Sequence, residues 1–415
     1  MADVASNTTG DAVRQTVLYP NHLLLTPKSR MAPFAGYWMP LWYSGIAREH
    51  TAVRTRAGLF DVSHMGVLEF SGPDAEAFLD AVATNSVARL SPLHAQYAYL
   101  LDTNGHVLDD IIIYKREANR FMVVVNAANE PKIKAYVDNL LRDTTLLKRS
   151  YTLDFTDLRA QPNGRGRVNI ALQGPASRNI LLAMADSSSD HTPLTELKSF
   201  RLLNTTLAKM DVIVSSTGYT GSKTGFELFV SPENAPRLWD CILEAGKPFG
   251  VEPCGLGARD SLRIEAGLPL YGHELAGEHD ISPYECGYGW AVKLDKPFFV
   301  GKDAMQRRAD SYDMEIVRLQ LPGQKGIRPV RANDGVLDTC GRCVGWITSN
   351  AGIEQSQVAL AYVTRGALTA GQDVGVYYLS RSAAQTQQGR KERISINESP
   401  AADLTGNVVT RFAKF

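Results

Sequence analysis

The sequence predicts an α+β protein of several domains that ends in an all-β domain. Three observations carry this expectation. At 415 residues the chain is too long for one compact core, and 44% of it is apolar, enough to fill two or three. Strand-period and helix-period segments alternate from about residue 66 to about residue 266. Beyond about residue 315 the helical period gives way to short strands and turns.

The segments follow in order. GVLEFSG (66–72) alternates like a strand and runs into Ser-Gly-Pro-Asp, a turn and helix cap for DAEAFLDAVAT. QYAYLL, DTNG and HVLDDIIIYK (96–115) read as a β-hairpin on an Asn-Gly turn. RFMVVVNAAN (120–129) is a third strand, and EPKIKAYVDNLL is a helix with Pro near its first turn. The alternation continues through RVNIALQG, PASRNILLAMA, TLAKMDVIVSSTGYTG, GFELFV and PRLWDCILEAG. GLGARDSLRIEAGLPLYG (255–272) has a helix pattern ended by Gly267 and Pro269. IVRLQL, GRCVGWITSN, VALAYVT and QDVGVYYL are the short strands of the last part. RSAAQTQQGRKER (381–393) is polar and predicts a mobile loop. No internal repeat is visible.

Composition excludes several functions. Lys plus Arg and Asp plus Glu both number 44, so the formal net charge is zero and the basic excess of a nucleic-acid binder is missing. No run approaches the roughly 18 apolar residues of a membrane span. The N-terminal MADVASNTTGDAVRQ carries acids, a single Arg and no apolar core, which argues against secretory and organelle-import signals. Five cysteines, an odd number in so long a chain, fit a reducing compartment. The expectation is a cytoplasmic protein.

Polar residues inside apolar strands are the candidates for chemistry. In TNGHVLDDIIIYK, Asp109 and Asp110 stand side by side at the mouth of a run of isoleucines. Strand alternation puts Asp110, Ile112 and Tyr114 on one face and Asp109, Ile111 and Ile113 on the other. An acid and a phenol on one apolar face resemble a pocket wall, where a carboxylate acts as base or stabilises a cation. The alternative is that both acids merely finish the turn. Glu227 interrupts FELFV; a carboxylate only accepts hydrogen bonds, so its natural partner is a planar donor pair or an Arg. Three glycines frame Tyr219 and Glu227 in STGYTGSKTGFE, where backbone can approach a ligand closely or simply turn. Arg259 and Arg263, four apart on a helix, could grip a carboxylate, or pair with Asp260 and Glu265 on a solvated face. For His64 and Met65 in GLFDVSHMG a structural role is the default.

Other motifs carry little. Cys340-Gly-Arg-Cys343 has CxxC spacing but no second half of a zinc site. GLG at 255–257 lacks the third Gly of a dinucleotide fingerprint, and no GxSxG, Walker loop or HExxH is present. The eight histidines do not cluster as metal ligands, so no metal is expected.

The stretches MAPFAGYWMPLWYSGIAREHTAVRTRAGLFDVSHMG, LDDIIIY, VVVNAAN, ALQGP, STGYTG with GFE, and GLGARDSLRIEAGLPLYGHE together resemble the glycine-cleavage T-protein family, tetrahydrofolate-dependent aminomethyltransferases and related demethylases. The likeness runs from about residue 17 to about residue 375 in the family's order and spacing. It implies a three-domain cloverleaf with folate in a central channel. The implied domains are 1–60 with 150–235, 61–149 with 236–300, and a C-terminal β-barrel over 310–415. Carried over position by position, it implies that Asp110 is the catalytic carboxylate and that Asp109 fixes the turn. Tyr97, Tyr114, Asn126 and Tyr219 match folate-contacting positions. Glu227 would hold the pterin's donors, Arg259 would grip a glutamate-tail carboxylate, and Met65 and Trp290 match channel-wall positions.

The donor of the one-carbon unit is expected to be the lipoyl arm of a carrier protein, or else a small S-, N- or O-methylated compound. A folate-binding relative without transferase activity is a third possibility, but its Lys-Gly-Cys-Tyr-x-Gly-Gln-Glu motif is absent and Asp110 is present. This chain departs from the T-protein pattern at the SKT loop, at Tyr37 where Trp is usual, in the long segment 141–169, and in TSNAGIEQSQVALAYV.

Overall fold

A computed structural model describes residues 13–413; residues 1–12, most of the stretch read above for targeting signals, lie outside the described residues. The chain forms two compact units. One runs up to Arg259 and adds Ala291–Met305; the other combines Asp260–Trp290 with the chain from Gln306 onward.

The larger unit opens with a small sheet in the order β1-β3-β2, made of β1 (Arg14–Gln15), β2 (Met31–Phe34) and β3 (Tyr37–Pro40). Next comes β4 (Ala57–Asp61), which belongs to a later sheet. A fully antiparallel five-stranded sheet follows, built from β5 (Gly66–Ser71), β6 (His94–Leu101), β7 (Val107–Glu117), β8 (Arg120–Val125) and β9 (Asp154–Asp157). Its order is β6-β7-β8-β5-β9. The strands β10 (Val168–Gln173), β11 (Leu202–Leu207), β12 (Met210–Ser215), β13 (Gly225–Val230) and β14 (Val251–Cys254) then join β4. This six-stranded sheet has the order β11-β12-β13-β10-β4-β14, with only β4 and β14 parallel.

Each of the two larger sheets buries one face under helices. Apolar residues at three- and four-residue spacing in Ala75–Val82 and Glu130–Arg142 put Phe78, Leu79, Ile133 and Val137 against Ile111, Ile113 and Val123. Helices Ser177–Met184 and Ala235–Gly246 likewise cover Leu59, Ile170, Leu172 and Val214 with Ile180, Leu181, Leu238 and Trp239. The remaining faces meet in a third apolar layer. Val67, Ala95, Tyr114, Met122 and Val124 come from the five-stranded sheet, and Leu202, Ile213 and Phe229 from the six-stranded one. The edges are stitched by main-chain bonds: Ala95 N–H donates to Phe200 O, and Leu202 N–H to Leu93 O, each at 2.9 Å. Leu93 and Phe200 hold left-handed backbone there, at φ 60° and 57°. This joint lets one layer of side chains serve two sheets.

In the other unit a closed barrel runs β15 (Met314–Pro322), β16 (Gly335–Leu337), β17 (Cys343–Ile353), β18 (Ser356–Thr364), β19 (Asp373–Tyr377) and β20 (Leu404–Val409). Its order is β15-β18-β17-β16-β19-β20, and closure leaves no free strand edge. Leu319, Ala359, Ala361, Val363, Val374 and Val376 fill its interior. The expected all-β texture is therefore a barrel. Two of its strands escape a reading by period: β16 is three residues long, and β20 (LTGNVV) carries Gly and Asn. The stretch 381–393, expected as a mobile loop, instead holds a short helix, Ala383–Gln387, capped by Ser382. Beside it Arg390 grips both oxygens of Asp403, at 2.7 and 2.9 Å.

All five cysteines are free. Among the described residues no helix is long and apolar enough to cross a membrane.

Candidate active site

Period two holds along β7. Ile111 and Ile113 pack under the helices, while Ile112 and Tyr114 face the layer between the sheets. Asp110 shares the second face and is half-buried, as Ile112 is. On β6, Tyr97 stands opposite Ile112. Its phenol donates to Asp110 Oδ2 at 2.9 Å. Asn126, just past β8, donates Nδ2–H to Asp110 Oδ1 at 2.8 Å. The structure thus gathers Asp110, Tyr97 and Asn126 into one cluster.

Asp109 does not fix the turn. That work falls to Asp102, whose Oδ1 accepts from the N–H groups of Asn104 and His106 at 2.8 and 2.9 Å. Asp109 is wholly buried and accepts three bonds elsewhere. They come from Asn126 N–H (2.9 Å), Asn126 Nδ2 (2.8 Å) and Asn129 Nδ2 (2.6 Å). One Asn126 amide therefore touches both acids. Its orientation is set by chemistry, since an amide oxygen in the same place would face two carboxylate oxygens. Burial raises both carboxyls above the ordinary range, and the charge of Asp110 raises Asp109 further.

A second cluster surrounds Glu227. On β13 it pairs with Ala171 of β10 and Ser215 of β12, half-buried between the buried Phe226 and Leu228. The Tyr114 phenol donates to its Oε2 at 3.0 Å, Thr217 Oγ1 donates to the same oxygen, and Asn169 Nδ2 reaches Oε1 at 3.4 Å. Burial, and next the charge of Glu227, raise the Tyr114 phenol well above its usual value, so it remains a donor. Asn169 Oδ1 is buried with no hydrogen-bond partner. A carboxylate oxygen and an amide oxygen thus offer acceptor capacity side by side. The sequence reading missed Asn169 and Thr217. The signal was available for Asn169, a lone amide inside the apolar run VNIAL.

The glycines near Tyr219 serve a different purpose from the one expected. A Cβ at Gly218 or Gly225 would lie 2.0 or 2.5 Å from Gln173 Oε1, so the close approach is made by a side chain of this protein. Gln173 Nε2 donates to the Thr217 and Phe226 carbonyls at 3.1 and 3.3 Å, and Thr220 donates to its Oε1. This scaffold holds the loop that carries Thr217 and Tyr219.

The two helical arginines part company. Arg259 lies with its guanidinium 4.8 Å above the Tyr219 ring. Arg263 is 1% exposed and belongs to the barrel-bearing unit. There it donates to Asp260, to Ser349 and to the fully buried Glu274, so it is paired as the alternative had it with Asp260, but in a buried setting and not on a solvated face. Met65 packs against the layer that contains Tyr114. Trp290 belongs to the barrel-bearing unit, 54% exposed and tilted against Tyr288, and is not part of the clusters above.

Two departures from the family pattern turn out to be one feature. Arg159, from the long segment 141–169, donates to the Tyr37 phenol at 2.9 Å and to the His64 carbonyl at 3.0 Å. A Trp at position 37 could not accept that bond, because an indole N–H only donates. Phe34 and Tyr37 present ring edges to His64. Burial, opposed by the charge of Asp61 and reinforced by Arg259 and Arg159, lowers the His64 imidazole to about 4.

Residues 22–296 match the sequence model of the GCVT N-terminal domain. An aminomethyltransferase of Symbiobacterium thermophilum is 39% identical over 383 residues, covering 90% of this chain and 95% of that one. An aminomethyltransferase of Shouchella clausii is 42% identical over 333 residues, covering 77% and 82%. Among solved structures, the glycine cleavage system aminomethyltransferase T from Bartonella henselae superposes with a TM-score of 0.75 at 28% identity, covering 96% of this chain and 97% of that one. With the fold, the acid pair and these likenesses in agreement, the chain belongs to the aminomethyltransferase family of the glycine cleavage system.

Proposed function

We propose that this chain is a tetrahydrofolate-dependent aminomethyltransferase that moves a one-carbon unit from the lipoyl arm of a carrier protein to N5 of tetrahydrofolate. The observation that carries the reading is Asp110: a half-buried carboxylate on the inter-sheet face, held by Tyr97 and Asn126.

The residues fit the pterin. Glu227 together with the partnerless Asn169 Oδ1 presents acceptors to an amino group and an adjacent ring N–H, with Tyr114 and Thr217 fixing the carboxylate behind them. Tyr219 offers a ring face, and Arg259 above it offers a planar donor pair for a glutamate carboxylate. Met65 forms apolar wall. When bound, tetrahydrofolate supplies the nucleophilic nitrogen that captures the one-carbon unit. Asp110 balances positive charge developing at the reacting atoms and exchanges a proton with them. Holding both reactants in place supplies much of the remaining acceleration.

The methyl-transferring alternative would use the same clusters, so the choice of donor rests elsewhere. The relatives described above, at 39 and 42% identity, carry the name aminomethyltransferase, which favours the aminomethyl donor. A reducing cytoplasm suits the five free cysteines. The test is incubation with tetrahydrofolate and either an aminomethylated lipoyl carrier or a panel of methylated donors. Methylenetetrahydrofolate with ammonia is the expected product. 5-Methyltetrahydrofolate from a methylated donor would transfer the chain to the demethylases.

A further inference from the structure

Asp109 and Asp110 point to opposite faces of β7, yet the one Asn126 amide bonds both: Nδ2 lies 2.8 Å from Oδ1 of each. Two carboxylates this close cannot both ionise freely in a buried site, so they titrate as one system in two steps. Burial first, and the charge of Asp110 next, push Asp109 up to about 8, and burial raises Asp110 as well, so the raised affinity for a proton belongs to the pair. At neutral pH the pair therefore keeps one proton.

The hydrogen bonds say where it sits. Asp109 takes three N–H donors on its two oxygens, and no acceptor among the described residues lies against it. That is the surrounding of an anion, because a proton on Asp109 would have nowhere to point. Asp110 has the Asn126 amide, its own backbone N–H and the Tyr97 hydroxyl, and of these the hydroxyl can turn to accept a hydrogen bond from it. The other charges near Asp109 are engaged elsewhere: Glu130, at the start of the neighbouring helix, pairs with Arg159 and Lys134. Asp102, beyond the end of β6, is bonded to His106. β8 and the helix start at Asn126 and Asn129 contribute only neutral amides to Asp109.

We propose that Asp109 and Asp110 form a one-proton dyad bridged by Asn126, in which Asp109 is the ionised positioning residue and Asp110 the proton carrier. This deepens the transferase reading and rests on it for its catalytic meaning. Forming methylenetetrahydrofolate makes bonds from the transferred carbon to N5 and N10 and breaks its bonds to the amino nitrogen and the lipoyl sulfur. N5 and N10 each give up a proton, and ammonia and the thiol each take one. The carrier hands its proton to the leaving ammonia and recovers one from N5, while the N10 proton goes to the departing lipoyl sulfur, so the dyad ends as it began. Asp109 confines the exchangeable proton to the side of the strand that faces the inter-sheet layer.

The test reads the ligand-free protein, by carbon NMR of carboxyl-labelled aspartates across pH. The unsubstituted protein should show a carboxyl of the pair titrating well above the ordinary carboxylate range. Asp109→Asn should abolish that step and leave Asp110 titrating at least one unit lower. Asn129→Ala, which removes a single donor from Asp109, makes Asp109 the better base and should lower the Asp110 titration by a smaller amount; it guards against misfolding of the first variant. Thermal melts of both variants establish that they are folded. A high step that survives Asp109→Asn, or one absent from the unsubstituted protein, overturns the dyad. Carrier-dependent turnover by the unsubstituted protein is scored separately. Its absence would sink the transferase reading while leaving the titration result to stand or fall alone.

Discussion

Tyr97 and Asp110 lie on adjacent strands of the five-stranded sheet, and the Tyr97 phenol donates to Asp110 Oδ2 at 2.9 Å. This bond favours the ionised carboxylate, against a burial that favours the neutral one. Tyr97→Phe should therefore raise the Asp110 titration, by up to about one unit, and lower turnover about five- to tenfold. The protonated carrier would then persist to a higher pH as the solution is made alkaline. A pH–rate profile with an unmoved alkaline limb would separate Tyr97 from Asp110.

Glu227 is expected to govern affinity and not the chemical step. Removing hydrogen bonds to a charged acceptor costs about 2–3 kcal/mol, so Glu227→Ala should weaken tetrahydrofolate binding roughly 30- to 100-fold. Asn169→Ala should weaken it about five- to tenfold, by losing one neutral acceptor. Equilibrium titration by ligand fluorescence measures both, and kcat at saturating folate should change much less.

Arg259 is assigned to the glutamate tail. Arg259→Ala should reduce affinity for tetrahydrofolate about tenfold or more and leave affinity for a tailless reduced pterin nearly unchanged. Equal losses for the two ligands would place Arg259 elsewhere.

Acid should destabilise the fold in two stages with different owners. His64 sits at about 4 in the fold against 6.5 for the free side chain. Its contribution is complete above about 6.5 and is lost as the pH falls toward about 4, amounting to about 3 kcal/mol in all. Asp61 is pushed up by burial but pulled down further, chiefly by His22 at 2.8 Å, to about 2 from 3.8. Its contribution is complete above about 4 and is lost toward about 2. Urea midpoints between pH 7 and 4 should fall for the unsubstituted protein and much less for His64→Gln.

In the barrel-bearing unit, Glu274 is fully buried against Arg263 and also accepts from Thr348 at 2.7 Å. Glu274→Ala removes the buried carboxylate partner of the Arg263 guanidinium, leaving it the more exposed Asp260, and should destabilise the protein by about 3–5 kcal/mol in denaturant titrations. A loss under about 1 kcal/mol would mean that water or another acid takes over the charge.

Much of this was readable from residue order, and the failures share a cause. Alternation along DDIIIY placed Asp110 and Tyr114 on one face because a strand's period is two whatever surrounds it. Glu227 stood out because a charge inside FELFV has no local explanation. The role of Asp109 was misread because its three donors come from residues 17 and 20 positions away, contacts that no local rule contains. Arg263 looked like Arg259 on a helical wheel; only the location of Glu274 and Ser349 distinguishes them. The closing strand β20 went unseen because its Gly and Asn are tolerated once five other strands fix the register.

The central claim is that Asp110 performs the chemistry in a site whose binding groups are other residues. The most direct measurement is single-turnover transfer by Asp110→Asn alongside equilibrium titration of the same variant with tetrahydrofolate. The account predicts a dissociation constant within about threefold of the unsubstituted protein and a rate lower by about 100-fold or more. A rate within about threefold, at saturating folate, would contradict it.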